Sequence, residues 1–219
     1  SHFSIYKAVN FLLSRNFEEA HKLFLSSIQT FATTVLLPYN EAMSLVTLLS
    51  IVCGTRDQIK NKVITSPEIT QTLMVYPNIN EFLNSLIKCY YKRFYAKLPE
   101  IFLFLQKSAF FGVVPSLPTL YLRAARVVIY RQYLSTFQCI SIQNMSRAFG
   151  VGEEFLEHDL SELITHSQLP CRIDLVDNLI RIETQQSLNN KALQTHEVIN
   201  QGDQLISQLN KLTQHAKTV

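Results

Sequence analysis

"RAFGVGEEFLEHDLSELI", residues 147–164, reads as the turn and second helix of a helix-turn-helix. Gly150-Val151-Gly152 supplies the turn, and Leu156, Leu160, Leu163 and Ile164 fall at i, i+4, i+7 and i+8, one apolar stripe of a helix. A groove-reading helix must approach phosphates, and each Lys or Arg there adds salt-dependent affinity. Between 153 and 164 this helix carries Glu153, Glu154, Glu157, Asp159 and Glu162, with no Lys or Arg. Glu153, Glu154 and Glu157 suit the positive end of a helix dipole, but all five carboxylates would repel DNA. The stretch therefore predicts a DNA-binding architecture with a different use, and nucleic acid is not the expected partner.

The flanks complete the module. A long helix over 119–137 leads to a β-prone stretch at 139–142 and a short helix at 143–149. The acidic helix, 153–167, is followed by "CRID" (171–174), the turn "LVDN" (175–178) and "LIRIE" (179–183). The two apolar runs predict a hairpin around Asp177-Asn178, although that turn lacks the glycine a tight connection prefers. Helix, strand, helix, turn, helix, hairpin is the order of a winged helix.

Upstream, the periodicity predicts helices over 3–13, 17–31, 40–53 and 57–64. In the second of these Ala20, Leu23, Phe24, Ile28 and Phe31 form one stripe, with Ala20 the small residue where helices cross. Ser66-Pro67 is a start signal, an N-cap followed by Pro at the first helical position. Asn78 with Glu81 three residues on predicts a capping box. Pro99 should kink the helix over 92–108 or mark its first turn, and "FFGVVPSLP" (110–118) is a break. Stacked helical pairs bury their cores only against neighbours, so this half reads as a tetratricopeptide-like α-solenoid. Three regions follow: helical repeats over 1–118, a winged helix over 119–185, and a linker with a last helix over 186–219.

That last helix, 192–216, spaces Val198, Gly202, Leu205, Leu209, Leu212 and Ala216 by 4, 3, 4, 3 and 4, a narrow heptad seam suited to a helix bundle. Gly202 costs it about 1 kcal/mol relative to Ala.

Composition narrows the class of protein. In 219 residues, 47% hydrophobic and 17% charged, the chain has the makings of an ordered globular protein. Five Gly and seven Pro are too few for a turn-dense all-β fold. The net charge of +3 is too small to imply a polyanion partner without a local patch. The most apolar run, "MSLVTLLSIVC" (43–53), is half of what a bilayer span needs, so a buried helix and no membrane partner are expected. No secretory leader is expected, and Ser rather than Met at position 1 suggests a fragment boundary. Cys53, Cys89, Cys139 and Cys171 lie too far apart for paired zinc ligands and are expected as buried, reduced thiols.

No phosphate-cradling, dinucleotide, nucleophile-elbow or HExxH motif is present. The six histidines are scattered and read as surface or capping residues. No catalytic residue, cofactor or metal is expected, and the chain is not expected to be an enzyme. One stretch, "KCYYKRFYAK" (88–97), interleaves Lys88, Lys92, Arg93 and Lys97 with aromatics, as single-strand binders do. On a helix, however, Tyr91, Phe94, Tyr95 and Leu98 form an apolar face and the cations line the outer side.

The residues of the second half resemble the winged-helix part of a PCI domain, at Tyr130, Ile140, Met145, Ala148-Phe149-Gly150-Val151, Leu160, Ile164 and Ile173-Asp174. Further likeness lies in "FEEAHKLFLSSIQTF", "KNKVI" and the tail "INQGDQLISQLNKL". PCI domains occur in the proteasome lid, the COP signalosome and the translation initiation factor three complex. The resemblance implies a non-catalytic scaffold of the lid of the 26S proteasome regulatory particle, in cytoplasm and nucleus, partnered by other PCI and lid subunits and supporting ubiquitin-dependent protein degradation. The alternatives it leaves are a signalosome subunit, or a PCI protein with a nucleic-acid surface at 88–97. An exposed hairpin edge offers backbone groups to a neighbour's strand. The expected lateral contacts are therefore Cys171, Arg172, Ile173, Asp174, Leu179, Ile180, Arg181, Ile182 and Glu183. The bundle contacts are Val198, Leu205, Leu209, Leu212 and Ala216.

Overall fold

A computed structural model describes residues 2–28, 38–174 and 176–182. Two helices open it, α1 (His2–Leu13) and α2 (Phe17–Ser27). The break between them is set locally: Arg15 takes φ 64°, and Asn16 caps α2 by accepting from Glu19 N at 3.2 Å. Ala20 is wholly buried at the crossing. The expected helix over 17–31 closes at Ser27, and Phe31 lies outside the described residues.

The apolar run becomes α3 (Tyr39–Cys53), the buried axis of the helical layer, with Ala42 through Ile51 all buried. Its hydroxyls return to its own backbone, Ser44 to Asn40 O, Thr47 to Met43 O and Ser50 to Val46 O, so none is left unsatisfied in the core. His21, read from sequence as a surface residue, is instead buried, with Nε2 3.0 Å from Ser50 Oγ. Because the Ser50 proton goes to Val46 O, the imidazole must donate. Burial, reinforced by the charge of Lys62, lowers the His21 pKa.

Next comes a short turn, α4 (Arg56–Gln58), opened by a reciprocal capping box between Thr55 and Gln58. It runs on into a π-helical segment, Ile59–Ile64, that the periodicity did not foresee. There the wider turn buries Ile59 and Val63 and leaves the lysines outside. Two proline-started helices follow, α5 (Pro67–Val75) and α6 (Pro77–Ile87). Their caps differ from expectation. Ser66 spends its hydroxyl on Glu68 Oε2 at 2.6 Å rather than on the backbone. Asn78 and Glu81 form no capping box, because Pro77 already occupies the first helical position and Glu81 reaches across to Lys97 at 2.8 Å.

Helix α7 (Tyr91–Lys107) continues through Pro99, which sits exposed inside it. The ring has no N–H to give the preceding turn, a loss borne on the solvent side. After the break, α8 (Leu117–Leu134) starts two residues before the expected position, with Pro118 in its first turn. Its Tyr121 donates to Leu48 O at 2.8 Å, tying α8 to α3.

The last part is β1 (Cys139–Ser141), α9 (Ile142–Phe149), α10 (Glu153–Thr165), β2 (Cys171–Asp174) and β3 (Leu179–Ile182). The sheet order is β1-β3-β2, all antiparallel. This mostly helical chain, with helical repeats running into a winged helix, has the architecture read from the sequence. Gly150 ends α9 at φ 68°, a left-handed position glycine takes without strain. The wing turn solves its missing glycine with Asn178 at φ 52°, the non-glycine residue type that best tolerates that region.

Candidate protein interface on the winged helix

Phe149 anchors the winged helix to the helical layer. It is 1% exposed, and its ring centroid lies 5.2 Å from Tyr91, 5.8 Å from Tyr95, and 5.2 Å from both Tyr130 and Tyr133. Two of those tyrosines come from α7 and two from α8, so one side chain fixes α9 against both. The aromatics of "KCYYKRFYAK" are mostly turned inward: Tyr91 and Tyr95 are half-buried against Phe149, Phe94 is buried with its ring 4.3 Å from that of Phe82, and only Tyr90 remains open. That is the amphipathic helix read from sequence, not a stacking platform.

The acidic helix divides its carboxylates. Glu153 and Glu154 are exposed, and Glu162 pairs with Arg123 at 3.2 Å. Asp159, counted from sequence among the repelling charges, is 5% exposed and turned inward. Tyr130 donates to its Oδ2 at 2.8 Å, and the Tyr95 hydroxyl lies 2.6 Å from that of Tyr130. Arg126 Nε stands 3.1 Å from the same carboxylate oxygen, but its N–H is not aimed at it. The contact is one of charge rather than a formed hydrogen bond. Burial, then the charges of Tyr95 and Asp159, push the Tyr130 hydroxyl far above its ordinary value; burial does the same to Tyr95. Asp159 therefore ties α10 to α7 and α8, and the face of α10 left toward solvent still carries carboxylates and no cation.

The wing determines which strand can receive a partner. β3 lies between β1 and β2, so Leu179, Ile180, Arg181 and Ile182 have their backbone committed on both sides and cannot act as an edge. Ile182 N donates to Gln138 O at 3.0 Å, toward β1. Alternation along an antiparallel strand then turns Arg181 and Leu179 toward β2, where they face Arg172 and Asp174. It follows that the N–H and C=O of Ile173 point away from the sheet, along the outer edge of β2. Among the described residues no strand lies beyond it. Cys171 is buried, Arg172 exposed, and Ile173 and Asp174 half-buried. Arg181 sits behind the edge, 3.4 Å from Asp174 and 3.6 Å from Asp177. Asp174 Oδ1 also accepts from Val176 N at 3.2 Å, which fixes the wing tip.

Of the other expected site residues, Glu183, Val198, Leu205, Leu209, Leu212 and Ala216 lie outside the described residues. The four cysteines are free thiols, but of the burial expected for them only Cys171 has it: Cys53 and Cys89 are half-buried, and Cys139, on the outer strand β1, is exposed. Sequence reasoning missed Asp159 as a structural residue. The signal was its position: three residues after Leu156 and one before Leu160, it shares their inward side. Among the described residues, no helix is long and apolar enough to cross a membrane.

The chain matches two family models, the PCI domain over residues 111–184 and the 26S proteasome subunit RPN7 over residues 1–62. It is 33% identical over 209 residues to the "26S proteasome non-ATPase regulatory subunit 6 homolog" of Arabidopsis thaliana, covering 95% of this chain and 52% of that protein. Against the Schizosaccharomyces pombe "26S proteasome regulatory subunit rpn7" it is 30% identical over 98% of this chain and 53% of the relative. The Saccharomyces cerevisiae "26S proteasome regulatory subunit RPN7" is 31% identical over 95% and 48%. The chain thus spans about half the length of these relatives. The winged helix that the backbone forms, from α8 to β3, thus lies within the residues that match the PCI-domain model.

Proposed function

We propose that this chain is part of a non-catalytic scaffold subunit of the lid of the 26S proteasome regulatory particle, acting in cytoplasm and nucleus through contacts with other PCI and lid subunits. The reading divides it into helical repeats over 1–118, a winged helix over 119–185 and a linker and helix over 186–219. One observation carries it: a winged helix whose recognition helix faces solvent with carboxylates, beside a strand whose Ile173 N–H and C=O are directed outward. A neighbour's strand adds to such an edge through main-chain hydrogen bonds. In this reading Cys171, Arg172, Ile173 and Asp174 make the lateral contact. Leu179 to Ile182 brace it from behind with Glu183 beyond, and Val198, Leu205, Leu209, Leu212 and Ala216 enter a helical bundle. The names of the relatives support the assignment to the proteasome rather than the signalosome.

The test compares Ile173→Pro with Ile173→Ala in the tagged chain. Both shorten the side chain, Ala more than Pro, but only Pro removes an N–H, and on an outward-facing edge position that change leaves the sheet paired. The expected result is that Ile173→Ala co-purifies lid subunits and Ile173→Pro does not, with both folded by circular dichroism. Equal recovery of lid subunits by the two variants would refute the edge contact. A second arm deletes 192–219, which should leave the remainder folded and block entry into the complete complex.

A further inference from the structure

The turn between α6 and α7 is a second prepared surface, on the helical side of the molecule. Here Cys89 holds φ 58°, a left-handed position that a non-glycine residue occupies only under strain. Distant residues clamp it. Gln132 of α8 donates to Leu86 O at 3.0 Å and approaches Cys89 Sγ at 3.0 Å, and Arg56 donates to Ile87 O at 2.6 Å. A strained turn held from two sides presents its side chains in one geometry.

What it presents is an open groove of about 390 Å³ between α6 and α7, lined by Glu81, Asn84, Lys88, Tyr90, Arg93 and Lys97 among others. Tyr90 is 49% exposed, and the Arg93 guanidinium stands 5.3 Å from the centre of its ring. Three cations, Lys88, Arg93 and Lys97, share this groove with one carboxylate. Lys97 is engaged by Glu81 at 2.8 Å and Glu100 at 3.1 Å, and the charge of Arg93 helps to lower the Glu81 pKa. Lys88, exposed at the end of α6, has no carboxylate within ion-pair distance among the described residues. Neither has Lys92, whose stem lies along Gly150.

We propose that this groove docks an acidic segment of a protein partner, with Tyr90 and Arg93 as its anchor and Lys88 as the charge that selects carboxylates. Tyr and Arg are the residue types that dominate binding energy at protein interfaces, and a preformed site spares the cost of ordering them. The same chemistry disfavours single-stranded nucleic acid. Successive bases need successive rings, and Phe94, Tyr91 and Tyr95 face inward, leaving one exposed ring.

The experiment uses the full chain and two fluorescent probes, a short peptide of alternating Glu and Ser and a short oligothymidylate, in anisotropy titrations at low ionic strength. The peptide is expected to bind, and Tyr90→Ala and Arg93→Glu each to weaken it about tenfold. Lys107→Glu, the same charge reversal at an exposed position at the far end of α7, should leave affinity unchanged. Thermal melts of all variants should match, since every substituted side chain is exposed. Absence of peptide binding would overturn the proposal. So would equal weakening by Lys107→Glu, or tighter binding of oligothymidylate lost through the same residues.

Discussion

Replacing Phe149 should do more damage than its place on a short helix suggests. The ring is almost completely buried and meets four tyrosines, two from each of two helices, at centroid distances of 5.2 to 5.8 Å. Truncation to Ala loses the transfer free energy of the ring and opens a cavity, together about 3–5 kcal/mol. The site has little freedom to collapse. Tyr130 is held by Asp159, and Tyr91 and Tyr133 pack against each other with centroids 4.8 Å apart. The cost should therefore fall in the upper part of that range, a large share of the 5–15 kcal/mol that holds a typical domain. Phe149→Leu keeps most of the volume and loses the edge-to-face contacts, a change of about 1–2 kcal/mol. Urea denaturation of both variants, followed by circular dichroism and tyrosine fluorescence, measures the two losses. A double-mutant cycle with Tyr133→Leu should return a coupling of about 1 kcal/mol. A loss below about 1.5 kcal/mol for Phe149→Ala would refute the argument that this ring joins the winged helix to the helical layer.

Two further outcomes follow from the backbone and from the buried hydroxyls. Gly150→Ala should cost about 1–2 kcal/mol by denaturation, because φ 68° is a left-handed conformation, and Lys92→Ala should not rescue it although the Lys92 stem lies where the new methyl would go. The chain should also lose stability in alkali. Burial raises the pKa of Tyr121, Tyr130 and Tyr95 above their ordinary value near 10. These groups stay protonated when folded and ionise when unfolded, so stability is complete below that value and falls as pH rises beyond it. Each contributes a slope of about 1.4 kcal/mol per pH unit. Tyrosinate absorbance should appear together with loss of helical circular dichroism, and Tyr130→Phe should make the decline shallower.

The local alphabet of the chain determined a good deal. Period-3.6 stripes in a gly-poor, pro-poor sequence could bury only as helices, and the order of short apolar runs after Phe149 left the winged helix as the arrangement that pairs them. Leu156, Leu160 and Leu163 show this well, for their spacing alone puts them on one face, and all three are buried. Caps were less legible. Asn78 and Glu81 have the letters of a capping box, yet Lys97 on the next helix offers Glu81 a full charge, a competitor invisible in a local window.

Tertiary structure alone decided what those elements expose. The sequence of 171–183 contains two strands with equal claim to an edge, and only the sheet order, with β3 in the middle, leaves β2 outside. Asp159 has the letter of a surface charge, and only the meeting of α10 with Tyr130 and Arg126 makes its burial affordable. Charge and hydrogen bonding act through space, across 29 residues for Asp159 and Tyr130. Periodicity records which side of a helix is inward, but not which distant groups wait there.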